Sequence, residues 1–379
     1  MMYISGAEQY GSALILSYLV KLNSIVTIIF CLLISACGKK TEAPKQATTT
    51  PPISGSNPGS GGTTPEDVLY HKDGDVNKLY YNMANGVNIV VLGDGFVKED
   101  LKKNGVFDTQ VKKVIDYLFT VAPFKQYKQY FNTYVVYAES GKQGAAVGST
   151  SADNKFGSYF SPVTDRLLMA GNYNTCYQYV DKAIPRAIAH LIVLVVNDNK
   201  YGGSGGNIAV VSTNEASRYV MVHEVGHTFC GLGDEYIEEE IADNYPLSRL
   251  PMMANIDVTA DASKAKWSHF VGRAGYGGVN SFEGAYYRRK GMYRPENNSL
   301  MSSLNTLNFN APSREAIVKR ILMLTGVTYS FENFLRDDAA SATTASINLN
   351  TNYAIPKNDF LNMDSRLQEL KAEAKRLEH

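Results

Sequence analysis

The sequence predicts a mixed α/β (α+β) body, and three observations point to it. Strand-like apolar runs alternate with helix-period segments between residues 87 and 230, as in a chain that covers a sheet with helices. One run, "HLIVLVVND" (190–198), is almost wholly apolar, so it belongs at the centre of that sheet, buried on both faces. After Tyr236 the periodicity stops, and Gly, Tyr and Asn dominate as far as about residue 310, so an irregular C-terminal subdomain is expected there.

Ordered structure is expected from about Val68. "VNIVVLGDGF" (87–96) is an apolar run ending in Gly-Asp-Gly, a buried strand followed by a tight turn. Residues 97–119 place Val106, Val111, Val114, Ile115 and Leu118 at helical spacing, the pattern of an amphipathic helix. "FNTYVVYAES" (131–140) is strand-like. "YGGSGG" (201–206) reads as a loop and "NIAVVST" (207–213) as a returning strand that forms a hairpin with 190–198. A helix then starts near Asn214 or Ser217, and "SREAIVKRILMLTGV" (313–327) closes the body. Beyond 330 the text loosens, and 359–379 reads as a solvated terminal helix ending in Leu-Glu-His, the form of a cloning remnant.

The N-terminus reads as an address. Lys21 precedes the apolar run "SIVTIIFCLLISA" (24–36), and Ile34-Ser35-Ala36-Cys37 resembles a lipobox in which Cys37 is lipidated. A single membrane anchor is the competing reading, since only Lys21 interrupts the apolar stretch from Ala13. Residues 38–66 are dominated by Pro, Gly, Ser and Thr, the composition of a flexible tether. The expected organisation is a signal peptide with lipobox (1–37), a linker (38–66), a catalytic domain (67–330) and a tail (331–379). The chain would be exported and lipid-anchored to a bacterial membrane, at the outer membrane or cell surface, and monomeric. With 37 Lys+Arg against 37 Asp+Glu, it lacks the basic surplus of a nucleic-acid binder. Its four cysteines are too few for a disulfide framework; Cys176 and Cys230 are either a pair or two small buried residues.

The chemistry is concentrated in "HEVGHTFCGLGDEY" (223–236). His223 and His227 are one helical turn apart on one face, where both rings can reach one ion. Glu224 beside them is placed to act as a general base on a water. The apolar neighbours Val220, Met221, Val222 and Val225 bury the helix, and Gly226 keeps it thin beside the ion. A catalytic site needs a third protein ligand, and helix geometry constrains it. Were the helix to continue, Asp234 would lie roughly 16 Å from His223 along the axis. The helix must therefore stop, with Gly231 and Gly233 giving the backbone freedom to turn back. Asp234 is the first choice as ligand and Glu235 the second. Glu238, Glu239 and Glu240 read as a solvated charge run, His190 as a structural residue, and His269 as an outside candidate. Two His, one carboxylate and an open position match catalytic zinc.

"HEVGHTFCGLGDEY" resembles the active-site helix of the M64 peptidases, the IgA-peptidase group of zinc metalloendopeptidases, whose pattern is His-Glu-x-x-His, a spacer and Leu-x-Asp-Glu-Tyr. Here those positions are His223, Glu224, His227, Leu232, Asp234, Glu235 and Tyr236. "NIVVLGDGF" (88–96), "APFKQYKQYFNTYVVYAES" (122–140) and "YYRRKGMYRPENNSLMSSL" (286–304) resemble further blocks of that family, in order. The resemblance implies a metzincin-like fold, a twisted mixed sheet over an active-site helix, with Met301 beneath the zinc. It also implies hydrolysis of peptide bonds in protein or peptide substrates by a zinc-activated water. Ser299 stands where the family usually has Cys. Substrate is expected to lie along an edge strand, at 207–213. Tyr286, Tyr287 and Tyr293 fall in the region where an oxyanion stabiliser is expected, with no one of them singled out. The competing readings are a non-catalytic zinc-containing surface lipoprotein and a zinc hydrolase of cell-wall peptides.

Overall fold

Strands buried along their whole length must be covered on both faces, and that requirement sets the architecture. The computed structural model describes residues 69–148, 153–162, 166–239, 242–243 and 252–342. The expected export signal with Cys37, the tether and the terminal helix lie outside them. Along the described chain, β1 is Val76–Tyr81, β2 Val87–Asp94, β3 Phe131–Val136 and β4 Ala146–Val147. β5 is Tyr159–Phe160, β6 Leu168–Met169, β7 Leu191–Val196, β8 Gly203–Ser204 and β9 Ala209–Ser212. The main sheet runs β1-β3-β2-β7-β9-β8. Its four inner strands are mutually parallel, and β1 and β8 pair antiparallel at the edges. Every residue of β2, β3, β7 and β9 is buried.

Side chains alternate across these strands with a period of two, so each face has its own core. On one face Ile89, Val91, Val193, Val195 and Val211 meet three helices: α1 (Val106–Leu118), α3 (Ser217–Cys230) and α4 (Ala311–Thr325). On the other, Val90, Leu92, Ile192, Leu194 and Val196 meet Cys176, Tyr179 and Val180 of α2 (Tyr173–Ala183). Each such aliphatic side chain contributes about 1.5–3 kcal/mol on burial. The topology therefore places α3 against β9 and β8. No helix among the described residues is long and apolar enough to cross a membrane.

The structure corrects several expectations. The strands at 190–198 and 207–213 do not form a hairpin; β7 and β9 are parallel. The hairpin is β8 with β9 (Gly203↔Val211, Ser204↔Val210), and β8 lies inside the stretch expected to be a loop. Residues 207–213 are consequently not an edge, because β9 sits between β7 and β8. The helix expected over 97–119 begins only at Val106, after a separate 3-10 turn at Lys98–Leu101. Val106 is exposed, and Phe107 takes the core position. The C-terminal part is irregular, but it contains a hairpin of β10 (Phe282–Ala285) and β11 (Arg288–Arg294). The body also extends past 330: α5 (Phe331–Ala342) buries Phe334 and Asp338. Cys176 and Cys230 are free and do not pair, one packing on each face of the sheet. Burial pushes both thiols up to about 12, so neither is a ready nucleophile.

Candidate metal centre and active site

α3 ends three residues past its second histidine, at Cys230. Its C-cap, Gly231, takes the left-handed conformation (φ 64, ψ 33), which costs glycine nothing. Gly231 N–H donates to His227 O (2.9 Å) and Leu232 N–H to Gly226 O (3.1 Å), and the chain doubles back. Gly233 plays a different part from the one expected. It is needed for closeness: a Cβ there would stand 2.7 Å from Ile256 Cγ1 and 3.0 Å from Met253 Sδ. Gly226 is also needed for closeness, since a Cβ would stand 2.9 Å from Met301 Sδ and 3.0 Å from Phe309 Cε1. Met301, fully buried, thus lies against the helix backbone between the two histidines.

The returning segment is held on both sides. Glu235 N–H donates to Met301 O (2.8 Å), Tyr286 N–H to Asp234 O (2.9 Å), Tyr287 N–H to Tyr236 O (3.0 Å) and Glu238 N–H to Tyr287 O (3.2 Å). Neighbouring side chains here point to opposite sides. Asp234 faces the histidines. Glu235 faces away, with Oε1 accepting from Asn255 Nδ2 (2.7 Å) and Asn310 Nδ2 (2.6 Å) and Oε2 from Ser299 Oγ (2.5 Å). Glu235 ties the returning segment to the 252–257 loop, the Met301 turn and the N-cap of α4. Burial, against those three donors, pushes its carboxyl up to about 7.

Three ligand atoms converge. Asp234 Oδ1 is 3.2 Å from His223 Nε2 and 3.3 Å from His227 Nε2, and the two nitrogens are 3.0 Å apart. The protons on the rings are fixed by the backbone. His223 Nδ1 bonds Leu300 O (3.0 Å) and His227 Nδ1 bonds Leu232 O (2.7 Å). Carbonyls only accept, so each Nδ1 carries the hydrogen and each Nε2 presents a lone pair. Asp234 Oδ1 is buried and has no hydrogen-bond donor among the described residues, while Oδ2 accepts from Tyr287 Oη (2.5 Å). Three acceptors facing one point repel one another unless a cation lies among them. His223, His227 and Asp234 are accordingly the residues that could hold a metal ion.

Glu224, 1% exposed, lies beside this centre. Its Oε2 would be only 2.3 Å from a Cβ at Gly205, so the glycine after β8 is what makes room for it. A cleft of about 350 Å³ opens over the centre, lined among others by Gly205, Gly206, Asn207, Leu232, Met253 and Tyr286. The remaining candidates lie elsewhere. His190 Nδ1 accepts from Asn88 N–H (2.9 Å), and His269 pairs with Glu315 (3.0 Å). Glu239 pairs with Arg289 at the surface, whereas Glu238 is buried, contrary to the solvated reading; Glu240 lies outside the described residues. Tyr293 reaches toward Glu283 (3.4 Å).

Sequence reasoning did not assign Tyr287, Asn255 or Asn310. The signal for Tyr287 was the two-residue gap between β10 and β11, but Tyr-Tyr lacks the Asn-Gly chemistry that marks such turns. Both tyrosines are left-handed (φ 50 and 68), a conformation that costs a residue with a Cβ roughly 1–2 kcal/mol. No curated protein matches the chain. The family model described as IgA Peptidase M64 matches residues 80–277 and 273–321, a span that takes in the inner sheet, α3, the returning segment and Met301. With the motif, its turn and the convergent ligands inside that match, the chain belongs to the IgA Peptidase M64 family of metallopeptidases, which act on proteins or peptides.

Proposed function

We propose that the protein is a zinc metalloendopeptidase of metzincin-like build, with His223, His227 and Asp234 as ligands, Glu224 as the catalytic base and Met301 as the floor of the site. The observation that carries this reading is the convergence of three lone pairs beside Glu224 on an open cleft. Ligand atoms about 2.0–2.1 Å from a tetrahedral centre stand roughly 3.3 Å apart, and the three separations here are 3.0, 3.2 and 3.3 Å. Two imidazoles, one carboxylate and an open side also form the donor set of catalytic rather than structural zinc. When bound, the ion supplies the Lewis acidity that activates a water and polarises the scissile carbonyl. Glu224 takes the proton of the attacking water and delivers it to the leaving amine. The backbone of residues 205–207, in the turn after β8, lines the cleft and is the stretch along which an extended peptide would lie. This replaces the interior strand β9 as the site of strand addition. The non-catalytic reading does not account for a carboxylate given its own glycine-cut space next to the ligands. In the same proposal Cys37 anchors the enzyme, after export, to a bacterial membrane; loss of radiolabelled palmitate incorporation in Cys37→Ser checks that part.

The test is cleavage of an unfolded protein such as casein by wild type, chelated wild type and Glu224→Gln. Wild type should cleave, chelator should abolish cleavage and zinc restore it. Glu224→Gln should bind zinc normally and lose about 10²–10⁴-fold in turnover. Undiminished cleavage by Glu224→Gln, or none by zinc-loaded wild type on any protein substrate, refutes the reading.

A further inference from the structure

The turn between β10 and β11 poses a problem that packing alone does not solve. Two consecutive bulky residues, Tyr286 and Tyr287, occupy the left-handed region (φ 50 and 68) in a two-residue connection closed by the pair Ala285↔Arg288. Such turns favour Asn-Gly because both central residues need positive φ. A conformation of this kind persists only where its surroundings over-determine it, and here those surroundings are the segment that carries the third ligand. Tyr286 N–H donates to Asp234 O and Tyr287 N–H to Tyr236 O, while Tyr287 O accepts from Glu238 N–H. Tyr287 is 2% exposed, and its ring lies 5.4 Å from Tyr236 and 5.3 Å from Tyr286. Phenylalanine would satisfy those ring contacts equally. What a tyrosine adds is the hydroxyl, and that hydroxyl donates to Asp234 Oδ2 at 2.5 Å.

We propose that the strained Tyr286/Tyr287 turn is a positioning device for the third ligand: the Tyr287 hydroxyl engages Asp234 Oδ2, so that Asp234 presents Oδ1 alone to the metal. The inference rests on the metal reading above and adds a residue to it. The two carboxylate oxygens are already differentiated, Oδ1 facing the two Nε2 atoms and Oδ2 facing the phenol. Without the phenol both oxygens become equivalent, and the carboxylate can swing to offer two contacts or none. Partners of ligand carboxylates act in this way, and removing one typically lowers metal affinity about 10–100-fold. Tyr286 serves differently. It reaches Asp234 through its backbone N–H, and the residue lines the cleft.

The experiment uses the metal-stripped full chain as wild type, Tyr287→Phe and Tyr286→Phe. Zn²⁺ affinity is measured by competition with a chromophoric chelator, and Co²⁺ is added as a spectroscopic probe of coordination. Tyr287→Phe should bind Zn²⁺ about 10–100-fold more weakly and show an altered visible Co²⁺ spectrum, while its metal-free melting temperature stays near that of wild type. Tyr286→Phe keeps the backbone contact and should match wild type in both affinity and spectrum. Zn²⁺ affinity of Tyr287→Phe within twofold of wild type, with an unchanged Co²⁺ spectrum, overturns the proposal while leaving the metal site standing. Equal losses in both variants also overturn it, since they point to packing rather than to the hydroxyl. Wild type that takes up neither ion refutes the metal reading, and the positioning role with it.

Discussion

Gly205 and Glu224 show how much of the site depends on single residues. Gly205 has no left-handed φ to protect, so alanine is conformationally acceptable there, yet its Cβ would stand 2.3 Å from Glu224 Oε2. The side chain that must yield is Glu224, the proposed base. Gly205→Ala should therefore lower turnover by about 10²-fold while zinc affinity and unfolding free energy stay close to wild type. A variant that cleaves at the wild-type rate would show that Glu224 does not work from this position. The sequence carried His223, Glu224 and His227 plainly, because helical spacing alone places them together. It could not separate Asp234 from Glu235. In an extended segment adjacent residues face opposite ways, and which of them faces the two histidines depends on bonds to Met301, Tyr286 and Tyr287 that are remote in sequence. Asp234→Ala should thus lose tight zinc binding. Glu235→Gln can still accept from Asn255 and Asn310 and should keep it; the reverse pattern in a chelator competition would exchange their roles.

Among the elements, legibility followed apolar content. The inner strands and α4 were visible because long apolar or helix-period runs announce themselves. β8 was invisible because two residues, Gly203 and Ser204, carry no hydrophobic pattern, and its omission turned a parallel β7/β9 pair into a supposed hairpin. The end of α3 was legible for a physical reason, since bringing Asp234 back toward His223 and His227 required a turn and Gly231 was there to make it. That cap offers a test free of steric complication. A Cβ at Gly231 would meet nothing within 4 Å, so any penalty comes from the backbone at φ 64. Gly231→Ala should destabilise by about 1–2 kcal/mol, and Gly231→Asn by clearly less because Asn tolerates the left-handed region. Urea unfolding measures both. Zinc affinity should fall in the same order, because Leu232 O orients His227 just beyond the cap. Equal stability of the two variants would contradict the capping role.

At the scale of the whole molecule, α5 is tied to the site by a continuous chain of contacts. Arg314 Nε and Nη2 donate to Asp338 Oδ1 (2.7 Å) and Oδ2 (2.8 Å), and Tyr276 Oη to Asp338 Oδ2 (3.0 Å). Arg314 Nη1 also donates to Phe309 O (2.5 Å), next to Asn310, whose amide reaches Glu235. Glu235 in turn is bonded through its own N–H to Met301 O beneath α3. The composition beyond 330 gave no hint of this, because a largely polar stretch carrying Phe331, Phe334, Asp337 and Asp338 reads as loose until its partners are known. The ion pair is almost wholly buried, at 6% and 3% side-chain exposure. Removing one partner from such a pair typically costs about 3–5 kcal/mol, whereas replacing both by apolar groups is often neutral. Asp338→Ala should therefore destabilise the protein by about 3–5 kcal/mol in urea unfolding, and Arg314→Met combined with Asp338→Leu should recover most of that loss. If α5 merely leaned on the body, Asp338→Ala would cost less than about 1 kcal/mol, as an exposed pair does, and the double variant would be no better than the single one.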